Sequence, residues 1–138
     1  MSCKSFWLDN SRNEIWKELL EKVPSQLVDI YFYPEYVRLY ESDSKKATCY
    51  AFTQKDKILL YPFLIQSIQG HNEYKYISTP YGYGGPITNT KDLNFLREAF
   101  SCLSEKLISQ NVIAEVIKFH PLIKNYKFFD GVYEGKLS

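Results

Sequence analysis

The segment Ser78-Thr-Pro-Tyr-Gly-Tyr-Gly-Gly-Pro86 concentrates what this chain has for holding a ligand. Three glycines, two prolines and two tyrosines fall in nine residues, between a strand-like run and a long helix-like one. At such a turn backbone N–H groups can converge on an anion, helped by the partial positive charge of a helix start. Pro80 and Pro86 contribute no N–H, and Gly85 stands several residues ahead of the expected helix cap. Two readings stay open: positive-φ residues that let the chain turn without strain, or a loop that touches a ligand. Neither Gly-x-Gly-x-x-Gly nor Gly-Lys-Ser/Thr is present, which excludes the dinucleotide and P-loop signatures.

Other reactive groups are sparse. His120, in "KFHP", follows the last expected strand, where strand ends often face a crevice; a solvent-facing or capped histidine is the competing reading. Asp29 and Glu35 flank "IYFYP" and read equally well as solvated charges. His71 and His120 have no cysteine or second histidine near them in sequence, so no metal-ligand spacing appears. No Ser, Cys or Thr sits in a nucleophile elbow. Aromatics make up 17% of the chain, and of its 12 tyrosines seven cluster in "DIYFYPEY" and from Tyr74 to Tyr83. They suit either a core with wet-edged rings or a cleft whose walls stack on sugar or peptide.

The bulk composition narrows the class. At 138 residues, 45% apolar and 24% charged, the chain suits one globular domain with a real core. A net charge of +1 gives no footprint for DNA or an anionic membrane. The start lacks an apolar core of signal-peptide length, and no run reaches the roughly 18 apolar residues of a membrane span, so a cytoplasmic location is expected. Cys3, Cys49 and Cys102 are odd in number and far apart, which fits reduced thiols.

Periodicity then supplies the elements that must position these residues. Ser11-Arg-Asn-Glu14 has the form of a capping box, and Ile15, Trp16, Leu19, Leu20 and Val23 follow at helical spacing before Pro24. A second, short helix is expected from Pro34 to Glu41. Ala47–Thr53, Lys57–Ile65 and Glu73–Ser78 read as an antiparallel meander with turns at 54–56 and 70–72, and Pro62 implies an edge, a bulge or a bend. Asn89 and Asp92 stand in capping-box relation ahead of an amphipathic run, Leu93, Leu96, Phe100, Leu103 and Leu107, which Asn111 can end. "VIAEVIKF", Val112 to Phe119, is apolar enough for a strand covered on both faces. The order α-α-β-β-β-α-β makes an α/β (α+β) domain, a mixed and largely antiparallel sheet flanked by helices. Residues 1–125 form that unit; 126–138 are a tail, either a short strand or a loose end.

Four strings, "DIYFYPEYVRLYE", "ILLYPFLIQSI", "STPYGYGGP" and "VIKFHPLIKN", together resemble the N-terminal half of FemAB-like acyltransferases, relatives of the GNAT superfamily, from about Asp29 to Asn125. The resemblance implies a GNAT-like module that receives the acceptor, an amino sugar of the cell envelope or a muropeptide. It implies substrate contacts at Tyr33, Tyr36, Pro80, Tyr81, Gly82, Tyr83, Gly84, Gly85 and His120. Catalytic residues stay unassigned. The corner lacks the Gln or Arg that opens a pyrophosphate-gripping Gln/Arg-x-x-Gly-x-Gly/Ala loop. The donor, acetyl-CoA or aminoacyl-tRNA in the complete enzymes, is therefore expected on a second module, and the chain is expected to be a truncation or half of a split enzyme, inactive or weakly active alone. Two alternatives stand beside this: a small complete acetyl-CoA-dependent N-acetyltransferase, and a non-catalytic interaction module that recruits a partner, such as a second GNAT-like module, or self-associates.

Overall fold

The protein is described from a computed structural model covering residues 3–125 and 127. In chain order the elements are β1 (Lys4–Leu8), α1 (Asn13–Leu20), α2 (Pro34–Arg38), β2 (Lys45–Gln54), β3 (Lys57–Ile68), β4 (His71–Ser78), β5 (Ile87–Thr88), α3 (Leu93–Ser109) and β6 (Val112–Val116). The sheet runs β1-β2-β3-β4-β6, with β5 paired to β3. Every pairing is antiparallel except β4 with β6.

Strand alternation feeds two cores. On one face Ala47, Cys49 and Ala51 of β2 and Ile58, Leu60 and Leu64 of β3 meet Trp16, Leu19 and Leu20 of α1 and Val37 of α2. On the other, Tyr50, Phe52, Leu59, Tyr61 and Phe63 meet Phe95, Leu96, Phe100, Leu103 and Leu107 of α3. Each large side chain fully buried there contributes about 1.5–3 kcal/mol. The polar ends of the buried rings are answered. Trp16 Nε1 donates to the Phe32 carbonyl at 2.9 Å, and the Tyr50 hydroxyl to the Ala99 carbonyl at 2.7 Å.

The meander and the long helix form as the periodicity predicts, and Asn111 ends α3 with φ 62°. α2 ends at Arg38 rather than Glu41, β5 is a two-residue strand that the periodicity did not indicate, and five further details differ. The strand Lys4–Leu8 has no counterpart in the periodicity reading, because five edge residues are too short to show alternation. Asp9, rather than Ser11, starts the first helical segment: its carboxylate accepts from the Ser11 N–H and hydroxyl ahead of a 3-10 turn, and α1 begins at Asn13. Asp92 caps α3 unaided, accepting from the Asn94 and Phe95 N–H groups, while Asn89 is drawn to β3, where its Oδ1 accepts from Ile58 N at 2.8 Å. Pro62 lies in a central strand, opposite Cys49, between the β4 register that starts at Leu64 and the β5 register that ends at Leu60. Its missing N–H falls at that break in the pairing, so no edge is needed. Last, β6 stops at Val116 and is a terminal strand among the described residues, with Ile113 and Val116 each 61% exposed rather than covered on both faces. The α1–α2 layer packs on β1, β2 and β3.

Candidate functional site

Beyond β4 the chain does not part from β6. Thr79 N–H donates to the Val116 carbonyl, Lys118 N–H to Thr79 Oγ1, and Gly84 N–H to the Lys118 carbonyl at 2.8 Å. The glycine corner is therefore zipped to the segment that follows β6, and Gly84 has spent its N–H inside the fold. The start of α3 is likewise occupied, because the Asp92 carboxylate sits on its N–H groups and is held by Lys57 Nζ. An anion arriving there would meet a carboxylate.

The missing side chains of the corner make room for packing. Gly82 has φ 99°, and a Cβ there would stand 2.5 Å from Tyr31 Cε1. Gly85 has φ 98°, and its Cβ would stand 2.8 Å from Asn125 Nδ2. Gly84 and Gly85 are buried, as is Pro80, whereas Tyr81 is 81% exposed. Tyr31 is the hub: its ring makes edge contacts with Tyr36 at 5.0 Å, Tyr83 at 5.5 Å and His120 at 5.8 Å. Lys118 Nζ lies over the outer ring, Tyr83, at 5.3 Å.

His120 is buried, and both ring nitrogens are engaged. Nε2 lies 2.9 Å from Asp29 Oδ2, and Nδ1 faces the Leu122 and Ile123 N–H groups at 3.2 and 3.3 Å. Two N–H donors aimed at Nδ1 assign it the lone pair, which puts the ring proton on Nε2, donated to Asp29. This bond, with a second from the Ile30 N–H, holds the Asp29 carboxyl below the ordinary aspartate range. His120 orients the turn after β6 and has no nitrogen left over for a substrate proton. Asn125, fully buried, completes the clip: Oδ1 accepts from His120 N–H, and Nδ2 donates to the Gly84 and Pro86 carbonyls.

The open space lies beside the corner. Between α1 and α2 a groove of about 590 Å³ is lined by Ile30, Tyr33, Tyr36, Leu39, Lys17, Glu21 and Glu35. Tyr36 joins it to the corner by donating its hydroxyl to the Tyr81 carbonyl. Burial, then the Tyr40 hydroxyl beside it, pushes the Tyr36 phenol upward, so it stays a donor at any physiological pH. Lys17 Nζ pairs with Glu35 on the rim, which lowers the Glu35 carboxyl and raises the lysine. Pro34 fixes this rim at the first position of α2.

Of the residues singled out from sequence, Tyr33 and Tyr36 thus face the groove. Tyr81 borders it through its carbonyl, Tyr83 and His120 pack on Tyr31, and Pro80, Gly84 and Gly85 lie inside. Tyr31, Lys118 and Asn125 carry geometry that the sequence did not single out. Tyr31 stood within the tyrosine-rich string, but nothing marked it as the hub. The Asp29–His120 pair spans 91 positions, beyond any local signal.

Fold and site together define a mixed α/β domain, a mostly antiparallel six-stranded sheet with helices on both faces and an aromatic groove at one corner. Compared with known proteins, the chain matches no family model, no curated protein and no solved structure. Among the described residues no helix is long and apolar enough to cross a membrane, and no three His, Cys, Asp or Glu side chains gather as metal ligands.

Proposed function

We propose that this chain is the acceptor-binding module of a FemAB/GNAT-type acyltransferase, taking an amino sugar or a peptidoglycan precursor, with the acyl donor held by another module. The observation that carries this is the groove: two tyrosines, two exposed aliphatic side chains and a Lys17–Glu35 pair, opening next to a corner braced from below. Pyranose faces stack on phenol rings, and a rim carboxylate complements an amine. After a leading strand the element order is α-α-β-β-β-β-α-β, which differs from the α-α-β-β-β-α-β expected of such a module by the two-residue β5. Catalysis would rest chiefly on presenting the amine to the donor in a fixed pose.

The test is thermal unfolding with glucosamine, N-acetylglucosamine and muropeptide. A ligand at one hundred times its Kd adds about 2.7 kcal/mol to stability. Tyr33→Ala, at a 38% exposed side chain, leaves the fold intact and removes that gain. No shift with any of these ligands sinks the reading. Calorimetric titration with CoA separates it from a complete acetyltransferase, which alone requires heat of binding from the isolated chain.

A further inference from the structure

The groove between α1 and α2 is lined by one cation and two carboxylates, Lys17, Glu21 and Glu35. Lys17 and Glu35 neutralise each other on the rim. Glu21 has no such counterpart: among the described residues its carboxylate makes neither an ion pair nor a hydrogen bond. It also stands at the C-cap of α1, where the last helix carbonyls already carry partial negative charge, so the helix dipole opposes it. One negative charge is thus left over in the groove. Beside it the exposed side chains of Ile30, Tyr33 and Leu39 form apolar walls. Low-dielectric walls around an uncompensated charge concentrate its field on whatever enters. The complement is a primary ammonium on a carbon body, with the walls covering the carbons and Glu21 taking the charge.

We infer that Glu21 is the specificity-determining residue of the groove, holding the acceptor as its free ammonium and releasing the acylated product. This rests on the acceptor reading and assigns the amine to Glu21, because Glu35 is already engaged by Lys17. In the transfer the ammonium first gives one proton to solvent. The amine nitrogen then bonds to the donor's acyl carbon as the C–S bond of a thioester or the C–O bond of an ester breaks, and the second proton leaves with the departing thiol or hydroxyl. The product is a neutral amide that offers Glu21 no charge. The carboxylate that retains the substrate therefore does not retain what the reaction makes. An amino sugar and the side-chain amine of a muropeptide present the same ammonium.

Calorimetric titration of the full chain is run with two matched pairs: glucosamine against N-acetylglucosamine, and a muropeptide with its side-chain amine free against the same muropeptide acetylated. The pair that binds identifies the source of the ammonium. Within it the free amine is expected to bind at least about fivefold more tightly than the acetylated form. Raising sodium chloride from about 0.02 to about 0.5 M narrows that gap, because the charge lies at the surface. Glu21→Gln, at an exposed side chain, reduces the preference to under about twofold, while Glu21→Asp keeps it. Lys17→Gln, which frees the Glu35 carboxylate, widens it. A merely structural role for Glu21 would weaken both members of a pair alike and leave their ratio unmoved by salt. Equal affinity for the free and acetylated forms overturns the inference while the acceptor reading stands, and so does a preference that survives in Glu21→Gln. Absence of binding by both pairs removes the inference and the acceptor reading together.

Discussion

Asn125 and Gly82 carry more of the corner than its exposed tyrosines do. Asn125→Ala strips the partner from His120 N–H and from the Gly84 and Pro86 carbonyls inside a buried site. The expected loss is about 2–4 kcal/mol in urea unfolding. Gly82→Ala combines positive φ with a Cβ driven into the Tyr31 ring, for about 1–3 kcal/mol. A loss under about 0.5 kcal/mol, the ordinary surface range, would show that the corner is not braced in this way. Protons act at the same scale. Asp29, Glu35 and Asp92 have carboxyl groups held below their ordinary values, by hydrogen bonds from His120, Lys17 and Lys57 respectively. Their contribution is full above the unfolded-state values of about 4 and fades as pH falls through the lower folded-state ones. Stability should therefore drop on acidification below about pH 4, and Asp29→Asn should flatten that limb, as followed by unfolding at stepped pH. An unchanged slope would remove Asp29 from the account. Tyr33, Tyr36 and the glycine corner were legible as types and spacing. The Asp29–His120–Asn125 clip was not, because it joins residues whose proximity the chain path alone creates.

Among the elements, α3 was the most legible, since its apolar positions recur at three and four residues over 17 positions. Its cap illustrates the limit of such reading. Asp92 and Asn89 share capping chemistry, yet only Asp92 caps, because the unpaired Ile58 N–H recruits Asn89. Asp92→Ala should cost about 1 kcal/mol through the lost cap, with the exposed Lys57 pair adding little. The expected signature is a lower urea midpoint at constant slope. A changed slope would mean that the unfolded ensemble, and not the helix start, had been altered. Strand β1 escaped notice because five residues, with Phe6 toward one core and Trp7 toward the other, show too little alternation to stand out.

The whole molecule is ordered around β2 and β3, which share ten registered pairs and line both cores. Amide exchange should therefore be slowest in Tyr50–Phe52 and Leu59–Tyr61, and faster in β1 and β6; equal rates across the sheet would contradict a two-core design. The sequence by itself determined the element types, the antiparallel meander and the place of the glycine corner, because turn chemistry and hydrophobic period act over a few residues. Only the tertiary structure decided which strands lie at the edges, what the glycines admit and where the groove opens. These depend on which layer covers which strand, and contacts between distant segments such as Tyr31, Gly82 and His120 leave no local pattern to read.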